Sequence, residues 1–149
     1  MISNRPSVYL AGPLFSPQER QWNELLRERL VGFSDVYLPQ EDGSLFVDLV
    51  ANGMSVGEAK NSIFDADLRA IERCDILMLV MDGRVIDEGA CFELGYAYSL
   101  GKVCIGLKTD VRSLLPIGDN PMIDCALRAI FRDIDVACEW IRNRHCERH

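Results

Sequence analysis

The run Ile76-Leu77-Met78-Leu79-Val80-Met81 is apolar at every position, with none of the alternation of a strand that keeps one wet face. A strand covered on both faces reads this way, as in a parallel sheet held between two helical layers. The run is therefore expected at the centre of such a sheet. Downstream, Asp82-Gly83 closes it, a loop follows, and a helical stretch from Gly89 to Leu100 ends at Gly101-Lys102 before a second buried strand, Val103 to Leu107.

Upstream, Val8-Tyr9-Leu10-Ala11 predicts a short buried strand that ends in Gly12-Pro13. Ser16-Pro17-Gln18-Glu19 supplies an N-cap, a proline at the first helical position and a capping-box glutamate, so a helix starts there. Trp22, Leu25, Leu26 and Leu30 form its apolar stripe, with Glu19, Arg20, Glu24, Arg27 and Glu28 on the solvated side. Val36 to Pro39 reads as a second strand and Gln40 to Ser44 as a polar loop. Leu45 to Ala51 reads as a short helix closed by Asn52-Gly53. Ser55-Val56-Gly57-Glu58 repeats the capping-box spacing and opens a helix to about Arg73. Near the end, Asn120-Pro121-Met122 marks a helix entry and Ala129 to Arg132 a last strand. Ile134, Ala137, Cys138 and Ile141 give a terminal helix its buried face, and Arg142 to His149 is expected to fray.

Strands alternating with helices at this spacing predict an α/β domain over residues 1–149: a doubly wound, five-stranded parallel sheet of flavodoxin-like order 2-1-3-4-5 with helices on both faces. With 48% hydrophobic content in 149 residues, one core is affordable and a second domain is not. A formal net charge of −7 disfavours nucleic-acid polymers and anionic membranes as partners, which leaves small molecules. No apolar run reaches the length of a membrane span, and Met1 to Pro6 leads into the first strand without a signal-peptide pattern, so a cytoplasmic location is expected. The six cysteines, Cys74, Cys91, Cys104, Cys125, Cys138 and Cys146, form no CxxC, and no His pair stands at ligand spacing. Reduced structural thiols and no metal are expected; His145 and His149 read as solvated.

Two carboxylates are out of place in this pattern. Glu93 is the single charge between Gly89 and Leu100, in a helix apolar nearly all round that should be buried on several sides, its own sheet among them. An unpaired ionised carboxylate there costs roughly several kcal/mol, so Glu93 is expected to be kept for reactivity, its charge favoured by the nearby helix N-terminus. Asp67 shares its stripe with Ile63, Phe64, Ala70 and Ile71, whereas Asp65 lies with Ser62, Arg69 and Glu72 and is expected to pair with Arg69 on the surface. In a 2-1-3-4-5 sheet the ligand crevice opens beyond the carboxyl ends of strands 1 and 3, between the helices carrying Asp67 and Glu93. Two carboxyl groups converging on an apolar cleft point to cleavage at an acetal-like carbon, one as nucleophile and one as acid.

Val8-Tyr9-Leu10-Ala11-Gly12-Pro13, Asp67-Leu68, Cys74-Asp75-Ile76, then Asp87 six residues before Glu93-Leu94-Gly95-Tyr96-Ala97, and Gly101-Lys102, resemble the nucleoside 2-deoxyribosyltransferases in order and spacing from Val8 to about Met122. The resemblance implies that Glu93 attacks the anomeric carbon and holds the sugar as a glycosyl ester. It makes Asp67 the group that exchanges a proton with the nucleobase, and Tyr9 the group that orients the nucleophile. Asp87 would bind sugar hydroxyls, and Gly12 and Met122 fall among the substrate-binding positions. Asn120 would reach the 5′-hydroxyl in a neighbouring subunit, so a homo-oligomer is implied, with no cofactor. Relatives that hydrolyse nucleoside 5′-monophosphates place small hydroxyl residues where Asp87 and Asn120 stand. An aspartate there would repel a phosphate dianion by roughly a kcal/mol or more, favouring unphosphorylated nucleosides. Three functions remain open on sequence: deoxyribosyl transfer between bases, hydrolysis of a nucleoside or nucleotide N-glycosidic bond, and non-catalytic nucleoside binding.

Overall fold

The computed structural model describes residues 5–113, 115–116 and 118–146. In chain order it runs β1 (Ser7–Ala11), α1 (Pro17–Leu30), β2 (Asp35–Tyr37), α2 (Pro39–Asp42), α3 (Phe46–Ala51) and α4 (Val56–Arg73). It continues with β3 (Ile76–Val80), α5 (Glu88–Ser99), β4 (Val103–Leu107), α6 (Pro121–Asp124), β5 (Ala129–Phe131) and α7 (Ile134–Cys146). The five strands form one sheet of order β2-β1-β3-β4-β5, parallel at every pairing, as expected. All five residues of the central strand β3 are buried.

Strand alternation divides the core into two. Val8, Leu10, Met78, Val80, Ile105 and Leu107 face α1 and α7, meeting Leu26, Leu30, Ile134, Ala137, Cys138 and Ile141. Tyr9, Ala11, Leu77 and Leu79 face the other way, against Ile71 of α4 and Ala90, Leu94 and Ala97 of α5. This second face is the one to which Asp67 and Glu93 belong. The helices enter as the sequence predicts: Ser16 and Ser55 each complete a capping box, with Glu19 and Glu58.

Several local expectations are corrected. Leu25 is exposed and Asn23 takes its inward place, because the Asn23 amide donates to the Pro13 carbonyl at 2.8 Å and to Gln40 Oε1 at 2.9 Å. The chain from Pro39 forms the single turn α2, closed by Asp42 accepting from the Leu38 N–H at 2.7 Å, where a strand end and loop were expected. Arg27 is not merely solvated, since it pairs with Glu41 and Asp42 of that turn. Asp65 and Arg69, both exposed, are not among the ion pairs of the described residues. The expected frayed tail is helical through Cys146, and the Arg142 guanidinium stacks over the Phe33 ring 4.2 Å from its centroid. The His149 reading lies outside the described residues, as do the His145 and Cys146 side chains. Cys74, Cys91, Cys104, Cys125 and Cys138 are free; Cys125 is exposed rather than structural. No described helix is long and apolar enough to cross a membrane.

Candidate active site

The site is built on a repeated tripeptide. Val8-Tyr9-Leu10 and Val36-Tyr37-Leu38 lie in register on β1 and β2, so Tyr9 stands beside Tyr37. Their rings stack with centroids 5.3 Å apart and planes 15° from parallel. The Tyr9 hydroxyl donates to Glu93 Oε1 at 2.6 Å, and the Tyr37 hydroxyl donates to Asp67 Oδ1 at 3.2 Å. Two carboxyl groups from α4 and α5, distant in sequence, are thereby joined through two tyrosines on neighbouring strands. Tyr37 escapes a reading of the residues one at a time; the repeated Val-Tyr-Leu is the signal that would have found it.

Burial sets the electrostatics. It pushes the Glu93 carboxyl up to about 8, with the charges of Asp67 and Asp87 adding to the rise and the Tyr9 hydrogen bond opposing it. The expectation that the helix dipole keeps Glu93 ionised is therefore not met at neutral pH, where desolvation outweighs it. Asp67 is also raised by burial, against the pull of the Tyr37 hydroxyl. Tyr37 is pushed up to about 12 by burial and by Asp67, and buried Tyr9 lies well above the ordinary tyrosine range, so both phenols stay donors. Removing the Tyr9 donor should raise the Glu93 carboxyl further. Tyr9→Phe is thus expected to lower kcat/KM at pH 7 by about tenfold. The deficit should shrink as pH rises, and an equal loss at every pH in a steady-state profile would show that the hydroxyl does not act through Glu93.

Asp87 is the N-cap of α5, where its Oδ2 accepts from the Ala90 N–H at 2.9 Å while its charge is felt by both Glu93 and Cys91. Beyond it lies a cavity of about 270 Å³ lined by Ile86, Cys91, Lys108, Asp119, Asn120 and Met122, among others. Asn120 caps α6 by accepting from the Met122 N–H at 2.9 Å, and Met122 is 80% exposed. Asn120 and Met122 therefore line this cavity, whose walls do not include Glu93 or Asp67. Gly12 sits just past the end of β1, against the end of β3: a Cβ there would come within 2.8 Å of Val80 Cβ. Asp67 itself lines a smaller cavity of about 150 Å³, together with Leu14, Leu45, Phe46 and Ile63.

Two further features had no signal in the sequence. Lys108, only 3% exposed, donates to both oxygens of Asp119 at 2.6 Å, tying the end of β4 to the residue before Asn120. Stranding one member of such a buried pair costs roughly 3–5 kcal/mol, so the turn carrying Asn120 and Met122 is firmly held. Asp82 accepts from the Thr109 and Asp110 N–H groups at 2.6 and 2.7 Å and from the Thr109 hydroxyl at 2.8 Å, which makes it a clamp between strand ends. Among the described residues no cluster of three or more His, Cys, Asp or Glu is arranged to hold a metal ion.

A single parallel sheet of order 2-1-3-4-5 with helices on both faces is the fold of the deoxyribosyltransferases. The chain belongs to the nucleoside 2-deoxyribosyltransferase family, whose profile matches residues 8–140. A conserved protein from Enterococcus faecalis V583 is similar in structure, with a TM-score of 0.78 and 25% identity over 94% of this chain and 99% of that one. The 2-deoxyribosyltransferase of Bacillus psychrosaccharolyticus superposes with a TM-score of 0.67 and 25% identity over 89% of this chain and 90% of that one. The CMP N-glycosidase of Clostridium botulinum shares the fold at 18% identity, with a TM-score of 0.53 over 92% of this chain and 96% of that one. No curated protein matches the chain in sequence at comparable stringency. The family makes the chain a nucleoside 2-deoxyribosyltransferase or a related N-glycosidase, with nucleosides and nucleobases as its small-molecule substrates.

Proposed function

We propose that the protein transfers a 2-deoxyribosyl group between nucleobases through a glycosyl ester on Glu93. The observation that carries this reading is the pair of buried carboxyl groups joined through stacked Tyr9 and Tyr37, within a chain matched by the family over residues 8–140. An ionised Glu93 oxygen attacks the anomeric carbon as the C–N bond breaks. The bonding pair leaves with the base nitrogen, which takes the proton from Asp67. In the second half-reaction the nitrogen of an incoming base attacks the same carbon, the ester bond breaks, its electron pair returns to Glu93, and the incoming base gives its proton back to Asp67.

Asp87 binds sugar hydroxyls with the oxygen that α5 capping leaves over, and Gly12 lets the substrate approach the end of β1. Asn120 and Met122 serve a sugar from an exposed rim, which suits an oligomer in which Asn120 completes the neighbouring site. The enzyme works without cofactor, on unphosphorylated nucleosides in the cytoplasm. Incubation with deoxyinosine, with and without adenine, tests the assignment by chromatography. Deoxyadenosine formed only with adenine is the expected result, whereas free hypoxanthine at the same rate without acceptor means hydrolysis. Binding without turnover would leave a nucleoside-binding module.

A further inference from the structure

We infer that Tyr37 is the positioning residue of the acid: its hydroxyl holds Asp67 Oδ1 and leaves Oδ2 to carry the proton that the departing base takes. This deepens the proposed reaction and rests on it. Tyr37 donates to Oδ1 at 3.2 Å, and Oδ2 has no hydrogen-bond partner among the described residues. Asp67 lines the cavity of about 150 Å³ with Phe46 and Ile63, whereas Tyr37 lines a separate groove of about 390 Å³, with Ala66 common to both. Tyr37 is not in the wall of the smaller cavity, so it acts there through Asp67. Stacking on Tyr9 at 5.3 Å between centroids fixes the ring. A phenylalanine would stack as well, so the stack does not account for the hydroxyl.

The charges around this contact explain what the hydroxyl adds. Asp42 of α2 and Glu93 of α5 bear on the phenol beside Asp67, and Asp35, Arg69 and Arg73 share its groove. Asp42 is tied to Arg27 of α1. Burial raises the Asp67 carboxyl, and the Tyr37 hydroxyl opposes that rise by favouring the anion. A buried carboxyl is easily kept protonated but gives its proton up reluctantly, because its anion is poorly solvated. During base departure the O–H bond at Oδ2 breaks, its electron pair stays on the carboxyl group, and an N–H bond forms on the base. Negative charge then builds on Oδ1, where the hydrogen bond from Tyr37 strengthens with it. Tyr37 remains a donor throughout, since burial and Asp67 push its own pKa up to about 12.

Tyr37→Phe keeps the ring and removes the hydroxyl. With deoxyinosine its kcat/KM should fall by about tenfold, and the rising limb of the pH profile should move upward, because Asp67 has lost the donor that favours its anion. With deoxy-7-methylguanosine, whose base leaves without taking a proton, kcat/KM should be unchanged. In the resting protein, carbon-13 NMR of labelled aspartate carboxyls should show Asp67 titrating at higher pH in Tyr37→Phe, its signal identified by its absence from Asp67→Asn. An unmoved Asp67 titration overturns the inference. So does an equal loss with both nucleosides, the outcome for a tyrosine that only packs. The two failures are separable. A selective loss with deoxyinosine in Asp67→Asn but not in Tyr37→Phe removes Tyr37 alone, whereas normal transfer by Asp67→Asn removes the acid itself and the role of Tyr37 with it.

Discussion

Replacing Glu93 with glutamine is expected to lower kcat/KM for transfer and for hydrolysis together by about 10⁴-fold or more, because neither half-reaction has another nucleophile to use. Quenching the original enzyme in acid during turnover and measuring its mass should reveal a deoxyribosyl adduct on the peptide containing Glu93, absent from the variant. The same substitution has a second, opposite consequence for stability. Burial raises the Glu93 carboxyl from 4.5 to about 8, so between those values the folded chain holds a proton that the unfolded chain has released. The resulting destabilisation is absent below the unfolded pKa, grows as pH rises, and is complete above about 8. Glutamine cannot ionise, so Glu93→Gln should be more stable than the original above pH 8 by roughly 1–3 kcal/mol, visible as a higher melting temperature. Loss of turnover together with that gain identifies a group kept for chemistry at the expense of the fold. Near-original turnover in the variant removes Glu93 from the reaction.

The fold was legible because its strongest signals are local and cumulative. An uninterrupted apolar run for β3, two capping boxes and a period-3.6 stripe in α7 agree with one another, and a parallel sheet is what they jointly require. The errors fall where tertiary contacts decide. Asn23 reads as a polar interruption until its amide is seen bridging Pro13 and Gln40, and Pro39 reads as a strand end until Asp42 reaches back to the Leu38 N–H. In the site, Glu93 and Asp67 stood out as carboxylates on apolar faces. Their ionisation did not, because burial competes with a helix dipole in proportions that only coordinates fix. Lys108 looks like any lysine after a strand, and only the fold brings Asp119 to it.

Asp67→Asn should separate the acid from the nucleophile. With a base that departs only when protonated, such as hypoxanthine, the variant is expected to lose about 10²–10⁴-fold in kcat/KM. With deoxy-7-methylguanosine, whose base is already cationic and leaves neutral, the loss should be small. The pH profile should change shape as well as height. In the original enzyme the reactive form carries one proton on the carboxyl pair, so kcat/KM is bell-shaped, its falling limb set near 8 and both limbs belonging to the coupled pair. The rising limb lies above the ordinary aspartate value because burial raises Asp67 too. In Asp67→Asn only Glu93 must ionise, so the falling limb disappears and the rate climbs with pH to a plateau. The midpoint of that climb should fall below 8, since the charge of Asp67 no longer opposes ionisation of Glu93. A variant that keeps the bell with its falling limb in place would show that the proton lost near pH 8 does not come from the Glu93–Asp67 pair. The leaving base must then draw its proton from elsewhere.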